Sequence, residues 1–114
     1  MRQIKIGEKE YTLHYGQNAI CALEDELDES ISDIYARLGR QEVKLKDFRA
    51  ILWAGLLKDK RDLTPEDVGD MCDEAKVKIT SLLPDCISEL NDSFKRFISE
   101  DDITEVSEDR EKNG

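Results

Sequence analysis

The sequence has one histidine, one tryptophan, two prolines and no long run of apolar residues. No stretch approaches the roughly 18 consecutive apolar residues of a membrane-spanning helix. The first residues alternate polar and apolar and lack the apolar core of a signal peptide, which predicts a cytoplasmic protein.

No phosphate loop, nucleophile elbow or dinucleotide fingerprint occurs. A catalytic Ser-His or Cys-His pair would need His14, which strand alternation predicts to be a surface residue, so we expect a binding protein and not an enzyme.

Metal and cofactor sites are not expected either. The three cysteines, Cys21, Cys72 and Cys86, form no closely spaced pair, and each is predicted to be a small buried hydrophobic residue. Five acidic residues lie between Glu24 and Glu29, but this run has no glycine and crosses a predicted helix end. A calcium loop would need alternate ligands around a central glycine. The run is therefore interpreted as exposed acidic surface.

Charge limits the partners that the protein can bind. The net charge is −10, and charged residues make up 39% of the chain. Such a chain repels nucleic acid and anionic membranes, so neither is an expected partner. Half of this charge lies in residues 100–114, and residues 99–114 are predicted to be a disordered acidic tail. Five basic residues are interpreted as a solvated loop, not a nucleic-acid patch: Arg37, Arg40, Lys44, Lys46 and Arg49.

Periodicity predicts a mainly α protein, a compact bundle of about five helices with an N-terminal β-hairpin. Length allows one domain, residues 1–98, with the hairpin in residues 1–15. Helices are predicted at about 18–27, 30–39, 46–57, 65–75 and 82–98, and the third is expected to be central. Pro84 places the start of the last helix near Leu82 or Leu83, with a kinked continuous helix as the alternative. Gly55 is expected to let another helix approach closely.

The third predicted helix has more large apolar side chains than one buried face requires. Trp53, Leu56 and Leu57, with Tyr35 from the preceding helix, form a candidate protein-binding surface. Exposed aromatic and aliphatic side chains are typical of such surfaces. Core packing is the alternative role for each of these residues.

Several segments in sequence carry a family resemblance. They are, in order, Ile4 to Gly7, Tyr11 to Leu13, Leu23 to Leu27, Ser30 to Ile31, Phe48 to Leu56 and Leu63 to Val68. Together they resemble the tail assembly chaperones of long-tailed bacteriophages and prophages, particularly those of Gram-positive hosts. The resemblance covers about residues 1–98.

The resemblance implies a function and a set of partners. Such chaperones bind the long tape measure protein and keep it soluble until the tail tube polymerises around it. The implied partners are the tape measure protein and the tail tube protein, in the cytoplasm of a bacterial host. Self-association of the chain is a further expectation. The chain looks like the short form made by many such families, and no catalytic residue is implied.

Two other binding functions stay open. A small acidic inhibitor could mimic DNA or act like an antitoxin, although half of the net charge lies outside the predicted domain. A structural head–tail component is the second alternative, and it would be found in mature particles.

Overall fold

The computed structural model describes residues 1–97, so the predicted acidic tail lies outside the described residues. Within residues 1–97 the chain forms a two-stranded hairpin followed by five helices, as predicted. The strands are β1 (Arg2–Ile6) and β2 (Lys9–Leu13), and the helices are α1 (Gln17–Leu27), α2 (Ile31–Gly39), α3 (Leu45–Leu56), α4 (Pro65–Ala75) and α5 (Ile79–Phe97). No helix in this part of the chain is both long and apolar enough to cross a membrane.

The hairpin packs one face against the helices. β1 pairs antiparallel with β2, and Ile6 opposite Lys9 leaves a two-residue turn. Gly7 begins this turn with a φ of 68°, a conformation that favours glycine. A side chain at Gly7 would also come within 2.9 Å of Ala75 Cβ at the end of α4. The turn is therefore held against α4, which gives the marginal hairpin its support.

Helix α3 lies at the centre of the fold, as expected. It contacts α1, α4, α5 and β2, and its Ile51, Leu52 and Leu56 have no exposed surface. A helix with neighbours on several sides must be apolar around most of its circumference. The surplus of apolar residues in α3 therefore has a structural cause.

Gly55 allows close packing, but against the hairpin and not against another helix. A Cβ at this position would lie 2.7 Å from Tyr15 Cζ and 2.8 Å from Leu13 Cδ2. The Gly55 carbonyl accepts a hydrogen bond from the His14 backbone N–H at 2.9 Å. The Tyr15 hydroxyl donates to the Ile51 carbonyl at 2.7 Å. The absent side chain thus lets the end of β2 reach the backbone of α3.

The predicted start of the last helix is wrong, because α5 is continuous from Ile79 to Phe97 with Pro84 inside it. Proline removes one N–H donor, which would otherwise bond to the carbonyl four residues earlier, in Thr80. Thr80 is exposed, so water can satisfy that carbonyl. Leu82 is buried and Ile79 packs against the core, and this burial offsets the lost hydrogen bond.

Helix caps follow the sequence closely. The Ser30 hydroxyl accepts from the Asp33 N–H at the start of α2. Thr64 and Asp67 form a reciprocal capping box before α4. Such local hydrogen bonds explain why these helix starts were predictable.

One of the three cysteines is not buried. Cys72 and Cys86 lie in the core, as predicted, whereas Cys21 is exposed. The buried residues of α1 are Ala19 and Leu23, each two positions from Cys21. Two positions on a helix correspond to nearly opposite faces, so Cys21 faces solvent.

Candidate interaction site

The structure places the four predicted surface residues in different environments. The Tyr35 ring stacks on Phe94 of α5, with centroids 4.5 Å apart and planes 14° apart. The Trp53 indole N–H donates to the Leu63 carbonyl at 2.7 Å. Both rings are only half-exposed because each joins neighbouring elements. Both rings pack against the hydrophobic core, so each contributes to the fold as well as to the surface.

The two leucines also differ in position. Leu56 has no exposed surface and belongs to the core, so its assignment to an exposed surface is corrected. Leu57 follows the last residue of α3 and is half-buried. Among the four residues, then, only partial faces of Tyr35, Trp53 and Leu57 are accessible to a partner.

A different apolar surface lies where α3 begins. Among residues 1–97 the exposed large hydrophobic side chains are Met1 and Leu45, and Leu45 is 65% exposed. Leu45 lines an open groove of about 660 Å³ with Cys72 of α4 and with Val77 and Ile79, which lead into α5. Val77 and Ile79 are partly exposed, while Cys72 is buried. We call this feature the α3–α4–α5 groove.

The rim of this groove is basic although the chain is strongly acidic. Lys46, Arg49 and Lys78 line it, against one acidic residue, Asp73. Lys46 and Lys78 are exposed. The N-terminus of α5 adds partial positive charge, and no acidic residue occupies the first turn of α5. The local charge of the groove is therefore opposite in sign to that of the whole protein.

Arg49 has unused capacity for hydrogen bonds. Its Nε is buried and has no acceptor. One terminal nitrogen lies 3.6 Å from a carboxylate oxygen of Glu66, whose side chain is 71% exposed. An exposed ion pair at this distance contributes little stability. The Arg49 side chain is 32% exposed, so its terminal N–H groups, and not the buried Nε, can donate to a further carboxylate.

A charged cluster fixes the start of α3 beside this groove. Arg37 donates to both oxygens of Glu29 at 2.6 and 2.9 Å, and to both oxygens of Asp47 at 2.9 and 3.2 Å. Arg37 also donates to the Glu42 carbonyl. Asp47 is only 2% exposed, and its Oδ2 accepts from the Lys44 N–H. We call these groups the Arg37 clamp.

The Arg37 clamp corrects two sequence interpretations. Arg37 lies between two carboxylates and is not part of a solvated loop. Its hydrogen bond to Asp47 is the main cause of the lowered pKa of that carboxyl group. Glu29 pairs with Arg37, and Glu24 accepts from the Ile31 N–H at 2.7 Å. Part of the acidic run thus has structural partners instead of forming plain exposed surface.

The two buried thiols are held in their unreactive, protonated form. Burial raises the pKa of the Cys86 thiol to about 11 and raises that of Cys72 as well. Both thiols are protonated at neutral pH, whereas a nucleophile must be a thiolate. His14 is half-buried, with its Nδ1 unpartnered, and burial followed by the charge of Lys58 lowers its pKa. Over residues 1–97, no group of three or more possible metal ligands comes together.

The fold defines a small helical domain with an open apolar groove whose rim is basic. The family model described as "Phage tail tube protein, GTA-gp10" matches residues 2–93. That match covers most of the chain, so the protein belongs to this family and is related to phage tails. No curated protein and no solved structure matches the chain.

Proposed function

We propose that this protein is a tail assembly chaperone, which binds the tape measure protein and keeps it soluble until the tail tube polymerises. The observation that carries the proposal is the composition of the surface, taken together with membership of a phage tail family. Over residues 1–97 most of the exposed residues are charged, and Leu45 is the one large apolar side chain exposed beyond the first residue. A chaperone needs a limited apolar site for its client and enough charge to stay soluble while bound.

Binding rather than catalysis is part of the same proposal. The buried thiols have raised pKa values, and His14 lies half-buried between the hairpin and α3. Neither thiol is paired with the histidine in any described hydrogen bond. The groove offers apolar contact and positive charge, which serve recognition of a protein segment.

A structural subunit of the tail tube is the second candidate, because the family's description names a tail tube protein. Permanent assemblies bury large, mainly apolar interfaces, typically more than about 2,000 Å² in total. The described surface has two large exposed hydrophobic residues, Met1 and Leu45. This composition favours a transient binder. The family match gives no support to the inhibitor or antitoxin alternative.

Co-expression with the tape measure protein of the same phage tests the proposal. We expect the client to remain in the soluble fraction and to sediment as a complex with this protein. Unchanged solubility and sedimentation of the client would refute the chaperone function. Mass spectrometry of purified mature particles separates the two candidates, because a chaperone is absent from them and a tube subunit is abundant.

A further inference from the structure

The α3–α4–α5 groove has the size and shape of a site for side chains. Its volume of about 660 Å³ lies within the range of ligand-binding clefts, and it is open to solvent. Leu45, Val77 and Ile79 form apolar walls over a buried floor at Cys72. An open apolar cleft of this kind admits two or three aliphatic side chains projecting from one segment of a partner.

Charge identifies the kind of segment. Lys46, Arg49 and Lys78 surround the apolar walls, and Asp73 is the one acidic residue in the lining. Arg49 has a buried Nε without an acceptor, and its nearest carboxylate is an exposed one at 3.6 Å. Because charges more than about 10 Å apart are largely screened at physiological salt, this rim acts independently of the overall negative charge. The rim therefore favours carboxylates.

We propose that the groove docks an acidic amphipathic segment of a tail protein partner. The segment inserts aliphatic side chains between Leu45 and Ile79 while its Asp or Glu side chains pair with Lys46, Lys78 and Arg49. A helical segment presents such side chains at intervals of three and four residues. The proposal rests on the proposed chaperone function, since it identifies the part of the client that is bound.

Two synthetic peptides of 18 residues test this assignment on the full chain. Both carry leucines at the same helical spacing, and their polar faces contain only glutamate in one and only lysine in the other. Fluorescence anisotropy measures their affinities at low and physiological salt. Overall charge alone predicts that the lysine peptide binds more tightly. The proposal instead predicts that the glutamate peptide binds at least about tenfold more tightly.

Surface substitutions locate the binding. In the double variant Lys46→Glu with Lys78→Glu, we expect affinity for the glutamate peptide to fall about tenfold or more. Leu45→Glu should weaken the glutamate peptide, because it removes the exposed apolar wall and adds a negative charge. These positions are exposed, and acidic residues near the starts of α3 and α5 suit the helix dipoles, so the variants should fold.

The control carries the same change in charge elsewhere. Lys60 and Arg61 are exposed in the connection between α3 and α4, outside the groove. Lys60→Glu with Arg61→Glu should bind the glutamate peptide as the parent does. An equal loss of affinity in this control would show a general charge effect and would overturn the docking site. Preference of the parent chain for the lysine peptide would overturn it as well.

Other occupants give different results. Analytical ultracentrifugation that detects a dimer lost in Leu45→Glu would assign the groove to a second copy of the chain. Binding of the glutamate peptide only after Asp101→Asn with Asp102→Asn would assign it to the acidic end of the chain itself. Either result would overturn the assignment to a partner segment.

Co-expression distinguishes failure of the site from failure of the function. If Lys46→Glu with Lys78→Glu loses the glutamate peptide but still keeps the tape measure protein soluble, the groove is not the client site and the chaperone function stands. If the parent chain binds the glutamate peptide selectively but leaves the client insoluble, the chaperone function fails and the groove keeps its specificity.

Discussion

Removing Arg37 tests the physical account of the clamp that fixes the start of α3. Arg37→Met leaves the Asp47 carboxylate 2% exposed and without its cation. Breaking a buried ion pair from one side typically costs about 3–5 kcal/mol. The cost here should be lower, about 2 kcal/mol, because the Arg37 side chain is 20% exposed and Asp47 keeps its hydrogen bond from the Lys44 N–H.

Urea unfolding followed by circular dichroism measures this loss. With a slope of about 1–1.5 kcal/mol per molar, the midpoint should fall by about 1.5 M. The melting temperature should fall by about 10 °C. The matched control is Arg40→Met, since Arg40 pairs with Glu42 at the surface and is 57% exposed. That change should alter stability by less than about 0.5 kcal/mol.

The dependence on pH gives a second, independent check. The folded-state pKa of Asp47 is lowered, chiefly by Arg37, so its stabilising contribution is complete above the unfolded-state value of about 4. That contribution is lost as pH falls through the folded-state pKa. The difference between the parent and Arg37→Met should therefore shrink under acid conditions. A difference below about 0.5 kcal/mol at pH 7, or one that grows on acidification, would refute the reasoning.

Three further predictions concern the core and the exposed groups. Gly55→Ala should lower the free energy of unfolding by about 1–3 kcal/mol, because the new Cβ would meet the Tyr15 ring at 2.7 Å. Gly39→Ala should raise the free energy of unfolding slightly, because a Cβ there has nothing within 4 Å. The midpoints of urea unfolding compare the two variants. A thiol reagent should label Cys21 alone in the native protein and all three cysteines in denaturant, and rapid labelling of more than one native thiol would contradict the burial. The pKa of His14 is lowered in the folded protein, so the unfolded chain takes up a proton first as pH falls below about 6.5. The free energy of unfolding should therefore fall between pH 7 and 5, and His14→Gln should reduce that fall. Identical pH profiles for the parent and the variant would contradict this prediction.

The described surface also bears on how the protein would exchange partners. A site of limited area with a basic rim binds by a combination of apolar contact and salt-sensitive attraction. Lys46 and Lys78 are exposed, so their pairs with a client would form and break readily. Such a site would suit the proposed chaperone function, in which the client is released when the tube assembles.

The local structure could be predicted from residues that are neighbours in the sequence. The alternation around Ile4 and Leu13 predicted the hairpin, because side chains of a strand point to opposite faces. Ser30 and Thr64 predicted two helix starts, because their hydroxyl groups satisfy N–H groups only three residues away. These features depend on contacts within a few positions, which sequence patterns record.

The errors concern residues whose partners lie far along the chain. Glycine at position 55 lowers the intrinsic stability of α3 relative to alanine, and the close approach of Tyr15 explains why a glycine is needed there. Pro84 breaks a local hydrogen bond, yet burial of Leu82 and packing of Ile79 keep α5 continuous. In each case tertiary packing outweighed a local preference of about 1–3 kcal/mol.

The sequence by itself determined a small acidic helical domain with an N-terminal hairpin, because periodicity and helix caps are local properties. It did not determine where a partner could bind. The candidate surface around Trp53 was chosen from a surplus of apolar residues, and much of that surplus fills the centre of the fold. Only the tertiary structure brought Leu45 together with Val77 and Ile79 and placed three basic residues around them. A groove made from segments some thirty residues apart has no local signal, since it exists only once the helices have packed.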